Sequence, residues 1–106
     1  TGTHDNDTLC GWYKVLDPED LKLSQKYMNN ANTPKRQIHW DFIRLALASV
    51  ADLCIIPLQD YLGLGSEARI NTPSTLGNNW RWRMKQGCLT KELADRIREL
   101  TTLYGR

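Results

Sequence analysis

Cys54-Ile55-Ile56-Pro57-Leu58 is an unbroken apolar run, and the polar pair Gln59-Asp60 follows it directly. A run of this length is typical of a strand covered on both faces in a parallel sheet. Pro57 cannot donate a hydrogen bond to a central ladder, so we expect the strand to end there. A buried strand between a helix and a polar loop is the unit of α/β architecture, in which functional residues gather beyond the carboxyl ends of strands. The run therefore predicts an α/β fold.

Two helices are predicted before this run. The first begins with Asp17 as N-cap and Pro18 at the first helical position, and the Asn29-Asn30 pair is expected to end it. The second is predicted over about residues 34–52, where apolar residues recur at helical spacing. Its apolar stripe is broad, which indicates burial against a large surface.

A last helix is predicted near the C-terminal end of the chain. Thr90 is placed as its N-cap and Gly105 as the residue that ends it. Glu92 and Arg96 are spaced four residues apart, which favours an ion pair on the exposed face. Between the strand and this helix, residues 60–79 form a long glycine-containing loop with a helical turn expected near Ser66. Loops of that length are commonly functional.

The composition is that of one small globular unit. The 106 residues are 41% hydrophobic and 25% charged, with a net charge of +2 that is too balanced for the electrostatic footprint of a nucleic-acid binder. The three cysteines form no CxxC pair, so we expect reduced thiols and a cytosolic compartment. The most apolar stretch, residues 45–58, is interrupted by Ser49, Asp52 and Pro57, so no membrane partner is expected.

His4-Asp5-Asn6-Asp7 groups an imidazole, two carboxylates and an amide close to the start of the chain. A natural N-terminus is usually mobile and is a poor place for fixed site geometry, so we expect that the natural protein begins further upstream. Three interpretations remain open at this point: a polar turn, a metal site of the phosphohydrolase type built on His4 and Asp5, and a carbohydrate site. The metal interpretation needs further ligands, and the one other histidine is His39 on a predicted helix.

Polar side chains are also dense after the predicted strand. Gln59, Asp60, Glu67, Arg69 and Asn71 lie within thirteen positions, either as solvated charges or as part of a site. The intervening Gly-Leu-Gly is not a dinucleotide fingerprint, because no third glycine stands in register and no helix opens on it.

A third block is Asn79-Trp80-Arg81-Trp82-Arg83. In an extended segment its two indoles share one face and its two guanidinium groups share the other. The tryptophans could stack on sugar rings, anchor the loop, or form cation–π contacts with the arginines.

Taken together, the three blocks resemble the 4-α-glucanotransferase family, whose members are also called amylomaltase or disproportionating enzyme. The resemblance covers essentially the whole chain and rests on motifs in the same order: Thr1-Gly2-Thr3-His4-Asp5-Asn6-Asp7-Thr8 with Gly11-Trp12, Ile56-Pro57-Leu58-Gln59-Asp60, Leu62-Gly63-Leu64-Gly65-Ser66-Glu67-Ala68-Arg69 with Asn71, and Asn79-Trp80-Arg81-Trp82-Arg83. It implies a (β/α)8 TIM barrel. Residues 1–106 would form its C-terminal segment, mostly helical, with one or two short parallel strands, a long active-site loop and the C-terminal helix.

The resemblance also implies a mechanism that retains anomeric configuration, with an Asp nucleophile and a Glu acid/base that both lie upstream of this chain. Asp5 would be the transition-state stabiliser, and His4 and Asn71 would bind the substrate. Gln59, Asp60 and Trp80 would support the site.

The resemblance implies no metal or organic cofactor. The partners would be maltooligosaccharides or other α-1,4-glucans, and the location the cytoplasm or a plastid. The isolated chain would lack nucleophile and acid/base and is expected to self-associate. A structural or weakly glucan-binding fragment without chemistry is the alternative from another class.

Overall fold

The computed structural model describes all 106 residues and is mostly helical. Five α-helices and two short 3-10 helices follow one another along the chain: α1 Leu9–Lys14, α2 Pro18–Met28, the 3-10 helix Lys35–Gln37, α3 Ile38–Leu47, α4 Leu58–Tyr61, the 3-10 helix Ser66–Ala68 and α5 Lys91–Leu103. None of them combines the length and the hydropathy that a bilayer-spanning helix needs.

Helix α2 has the ends that its sequence predicts. The Asp17 carboxylate accepts hydrogen bonds from the backbone N–H groups of Glu19 and Asp20, each at 2.9 Å. These bonds satisfy donors that have no partner inside the helix. At the other end Asn29 adopts a left-handed conformation, with φ of 50°, and terminates the helix.

Helix α3 is shorter than the predicted span of residues 34–52. It begins after the 3-10 turn and ends at Leu47. Arg106 explains the early end, since its guanidinium donates to the backbone carbonyls of Leu47 at 2.7 Å and Ser49 at 2.9 Å. The Arg106 side chain thus supplies the hydrogen-bond donors that a further helical turn would otherwise provide to these carbonyls.

The hydrophobic core is small and is centred on α3. Five buried side chains form it: Leu9, Trp40, Ile43, Leu47 and Leu100. Ile43 has no exposed surface, and burial of such a side chain contributes about 1.5–3 kcal/mol to folding. Helix α1 thus contributes Leu9 to this core and α5 contributes Leu100, with Leu93 and Ile97 packed beside it.

The strand expected at residues 54–58 is not observed within this chain. Residues 54–57 are irregular, Leu58 opens α4, and the 106 described residues contain no strand. A strand is defined by backbone pairing with a neighbour. Here the Ile55 carbonyl accepts a bond only from the Thr1 amino group, at 2.6 Å. Cys54 and Ile56 still pack against the core. The expected burial of this segment is therefore observed, but its expected pairing as a strand is not.

Helix α5 begins and ends where expected. The Thr90 hydroxyl accepts from the Leu93 N–H at 3.1 Å, and Gly105 follows the helix with φ of 67°. The predicted pair of Glu92 with Arg96 is wrong, because the Arg96 guanidinium instead lies 3.9 Å from the centroid of the Trp40 ring. Arg96 therefore links α5 to the core by a cation–π contact.

Candidate functional site

The N-terminal cluster is a turn built by Asn6. Its side-chain oxygen accepts from the Thr3 backbone N–H at 2.6 Å and from the Thr3 hydroxyl at 3.0 Å. The Asn6 N–H closes the turn on the Thr3 carbonyl at 3.2 Å. His4 and Asp5 lie at the apex of the turn, with side chains 52% and 47% exposed. Asn6 is thus a structural residue that presents two others to solvent.

Asp7 joins this turn to the long loop. Its carboxylate accepts from the Ser66 hydroxyl at 2.7 Å and from the Thr8 backbone N–H at 2.7 Å. Gly11 makes this approach possible, since a Cβ there would lie 2.4 Å from the Ser66 oxygen. Asp7 therefore holds two segments together, and its carboxylate oxygens are engaged within the chain.

Asp5, His4 and Asn71 are brought together as the sequence predicts. The Asn71 side-chain amide donates to Asp5 Oδ1 at 2.7 Å, and His4 Nε2 lies 3.3 Å from the same oxygen. The Asn71 backbone N–H also donates to the His4 carbonyl at 3.1 Å. Asp5 Oδ2 accepts no hydrogen bond from the chain, so one carboxylate oxygen faces outward next to an imidazole and an amide.

Arg69 is the member of this group that the sequence did not assign to the site. Its Nη2 donates to the Asp5 carbonyl at 2.7 Å and its Nε donates to the Asn71 carbonyl at 2.9 Å. The sequence places Arg69 two residues before Asn71 in the dense polar block, which could have indicated a site residue. Its charge alone did not distinguish it, because Glu67 in the same block is charged as well.

Trp80 covers one side of His4. The two ring centroids are 4.9 Å apart and the planes are inclined by 38°. Trp80 has φ of 61°, a left-handed conformation that costs a residue with a Cβ roughly 1–2 kcal/mol. Its backbone N–H donates to the Ile70 carbonyl at 2.7 Å, which holds it in place. The indole remains 59% exposed beside the His4–Asp5 turn.

Gln59 and Asp60 lie beneath the site and do not reach its surface, with 5% and 4% exposure. The Gln59 side-chain amide donates to the Ala68 carbonyl at 3.2 Å. Asp60 Oδ1 accepts from the backbone N–H of Leu9, the first residue of α1, at 2.8 Å, and its Oδ2 accepts from the Thr1 hydroxyl. Both residues position the two segments that carry the site.

His39 is separate from this group. It is buried with 5% exposure, and its Nδ1 has no hydrogen-bond partner. Burial, and then the charge of Arg96, lower the pKa of His39. No group of three or more His, Cys, Asp or Glu side chains is arranged to hold a metal ion. His4 and Asp5 therefore have no third ligand of these types in the chain.

The exposed groups of the site can bind a molecule with several neighbouring hydroxyls. A carboxylate oxygen accepts hydrogen bonds from hydroxyls, whereas an amide and an imidazole can both donate and accept. An indole offers an apolar face. This is the donor and acceptor set expected of a carbohydrate-binding protein. The family model described as 4-alpha-glucanotransferase matches residues 1–90, and the chain belongs to this family.

Individual relatives agree with this assignment. The chain is 46% identical to the chloroplastic/amyloplastic 4-alpha-glucanotransferase of Arabidopsis thaliana and 47% identical to the 4-alpha-glucanotransferase of Clostridium butyricum. All of this chain is covered in both matches, but only 19% and 22% of the relatives. It thus spans about a fifth of their length.

A solved structure shows the same arrangement of the backbone. The amylomaltase of Streptococcus agalactiae in complex with acarbose matches with a TM-score of 0.91 and 36% identity. The match covers all of this chain and 21% of the amylomaltase chain. The family resemblance seen in the sequence is confirmed.

Proposed function

We propose that the protein carrying this chain is a retaining 4-α-glucanotransferase that transfers α-1,4-glucan segments between maltooligosaccharides. Asp5 contributes the transition-state-stabilising carboxylate. The observation that carries the proposal is the arrangement around Asp5, in which Oδ1 is fixed by Asn71 while Oδ2 faces outward next to His4. Family membership supplies the reaction class.

Residues 1–106 form the C-terminal segment of a catalytic (β/α)8 barrel in this proposal. Residues 54–57 pair there as a strand with strands that the rest of the protein supplies. The exposure of Leu53 and Ile55, 75% and 64% in the chain alone, is consistent with apolar surface that a neighbouring strand covers. The loop that carries Asn71 then lies beyond the carboxyl end of that strand, where barrel enzymes hold their sites.

The chemistry divides between the two parts of the protein. The nucleophilic Asp and the acid/base Glu come from the remainder of the barrel, and an acceptor glucan takes the place of water in the second step. As the glycosidic bond breaks, positive charge develops on the sugar ring and its hydroxyls become more acidic. An Asp5 carboxylate that accepts from two of them binds the transition state more tightly than the ground state. His4 and Asn71 bind and orient the same sugar.

The relatives support the proposed substrate class and location. The Streptococcus agalactiae amylomaltase was solved in complex with acarbose, which supports an oligosaccharide ligand for this protein. One relative is named chloroplastic/amyloplastic and another belongs to a bacterium, so a cytoplasmic or a plastid location fits the proposal.

The test is transfer by the complete protein with maltotriose as both donor and acceptor, read as release of glucose and appearance of longer oligomers. Asp5→Asn preserves the shape of the side chain and removes its charge. We expect turnover to fall by about 10²–10³-fold, the loss typical of one preorganised stabilising group. Asp52→Asn is the matched control, because Asp52 is exposed and lies outside the site. If Asp5→Asn kept more than about a tenth of turnover, a change of under roughly 1.4 kcal/mol, the role of Asp5 would be refuted.

A further inference from the structure

We propose that Arg69 is a positioning residue for the transfer reaction, because its guanidinium holds the backbones of Asp5 and Asn71 at one fixed separation. The inference rests on the proposed function and extends it to a residue that touches no substrate. Its basis is the hydrogen-bond geometry that joins the N-terminal turn to the long loop.

The two bonds of Arg69 use different nitrogens of one rigid group. Nη2 donates to the Asp5 carbonyl at 2.7 Å and Nε donates to the Asn71 carbonyl at 2.9 Å. A guanidinium is planar and presents its donors in a fixed fork, so the two carbonyl oxygens cannot change their separation without breaking a bond. A lysine ammonium is a compact charge on a flexible stem and imposes no such constraint.

The fork is part of a closed ring of bonds. The Asn71 N–H donates to the His4 carbonyl at 3.1 Å, and the Asn71 amide donates to Asp5 Oδ1 at 2.7 Å. These bonds join segments that are far apart in sequence, since Asp5 lies 64 positions from Arg69 and 66 positions from Asn71. If Arg69 were removed, the Asp5 carbonyl would lose its link to the long loop, and only the contacts of Asn71 with His4 and Asp5 would join the two segments at this point.

Arg69 binds the backbone of Asp5 and leaves its carboxylate available. No ion pair joins the two side chains. A guanidinium placed on the carboxylate would occupy the oxygen that the substrate needs and would neutralise its charge. Bonding to the carbonyl fixes the position of Asp5 and avoids both effects, which is what a group that must act electrostatically requires.

The base of Arg69 is itself rigid. The preceding residue, Ala68, is 1% exposed, and its carbonyl accepts from the buried Gln59 amide. The space between the turn and the loop is nearly filled, with a cavity of about 10 Å³ that Arg69, Gly2 and Pro57 help to line. That is about the space of one water molecule. The guanidinium therefore projects from a well-packed support, as a positioning group needs.

The experiment measures maltotriose transfer by the complete protein with Arg69→Ala and Arg69→Lys. We expect kcat to fall roughly 10²-fold in Arg69→Ala, the scale of a misplacement of about 1 Å, with a smaller change in KM. Arg69→Lys should recover little, since it restores the charge without the fork. Millimolar guanidinium should raise kcat of Arg69→Ala severalfold, while sodium chloride at the same ionic strength should not.

Two further variants separate positioning from general effects. Arg36 is exposed and its guanidinium makes no hydrogen bond within the chain, so Arg36→Ala should keep wild-type kcat with and without guanidinium. Asp5→Asn should show the loss of about 10²–10³-fold and should not respond to guanidinium, because the positioned carboxylate is missing.

Each outcome of these assays supports or overturns the positioning role of Arg69. Full activity of Arg69→Ala, or a loss that guanidinium does not restore and that Arg69→Lys repairs, would overturn the positioning role and leave the proposed function standing. If Arg69→Ala did not fold, Arg69→Lys would decide on its own: wild-type kcat in that variant would refute the role, and a loss of roughly 10²-fold would support it. Absence of transfer by the unaltered protein would overturn the proposed function together with this role.

Discussion

Trp80 carries a backbone strain that its side-chain contact with His4 offsets. Replacement by Gly removes the left-handed cost of roughly 1–2 kcal/mol and also removes an aromatic contact of about 0.5–1.5 kcal/mol. We therefore expect Trp80→Gly to change the free energy of unfolding by less than about 1 kcal/mol while lowering the rate of maltotriose transfer. Denaturant unfolding and initial rates measure the two effects separately.

Asn78→Gly is the control for Trp80. Asn78 also has a positive φ, of 57°, and it is exposed without a contact to His4. It should retain the wild-type transfer rate. A Trp80→Gly variant as active as Asn78→Gly would show that the indole has no part in the site.

Because His39 is buried, we expect the free energy of unfolding to depend on pH. Its pKa is lowered, first by burial and then by Arg96, and the charges of Asp60 and Asp41 offset this in part. Because the folded pKa lies below that of the unfolded chain, about 6.5, the unfolded state binds more protons as the pH falls. Stability is thus fully present above pH 6.5 or so and is lost as pH decreases through the folded pKa, by at most about 1.4 kcal/mol per pH unit.

Thermal unfolding across this pH range measures the effect. His39→Gln should flatten the profile below pH 6.5 or so. Identical profiles for wild type and His39→Gln would contradict this assignment.

The predictability of the site differs from residue to residue. Asp5, His4 and Asn71 were predicted as site residues because they match a specific family pattern, and the structure brings the three side chains together. Arg69 was not included because its hydrogen bonds go to two backbone carbonyls, and carbonyl positions have no sequence signature. The contact of Trp80 with His4 was likewise inaccessible, since a positive φ at Trp contradicts its intrinsic preference.

At the scale of elements, the N-cap of α5 makes a direct prediction. Thr90→Ala removes the hydroxyl that accepts the Leu93 N–H and should cost about 1 kcal/mol. Thr102→Ala is the control in the same helix, since Thr102 is exposed and its hydroxyl makes no hydrogen bond within the chain. Circular dichroism melts of both variants test it, and an equal loss in the two would refute the cap.

The helices predicted correctly are those whose ends are fixed by capping residues close to them in sequence. Helices α2 and α5 have capping residues inside the segment, so their ends were readable. Helix α1 was not predicted because its 6 residues are too few to show a helical apolar pattern. Thr8 caps it locally, and the Leu9 N–H is satisfied by Asp60, 51 residues further along. The strand prediction failed for a related reason: residues 54–57 have a strand's composition, but a strand needs a neighbour to pair with, and no other segment of the 106 residues forms one.

The whole molecule is loosely built for its length. Only 13 of 106 residues are buried, and the radius of gyration is 14.4 Å, against about 13 Å expected for a compact domain of this size. Several large apolar side chains are exposed, among them Val50, Leu53, Ile55 and Leu76. This is the surface expected of a segment whose apolar faces are completed by further structure.

We therefore expect the isolated chain 1–106 to self-associate. Leu53 and Ile55 flank an apolar segment without strand partners, and such a segment is a template for pairing between copies. Size exclusion coupled to light scattering should show oligomers whose fraction rises with concentration. The double variant Leu53→Gln with Ile55→Gln should shift the population toward monomer. Leu76→Gln should not, because Leu76 lies in a polar loop away from that segment. A monodisperse monomer with a sharp, cooperative melt would show that the small core around α3 suffices to keep the chain folded alone.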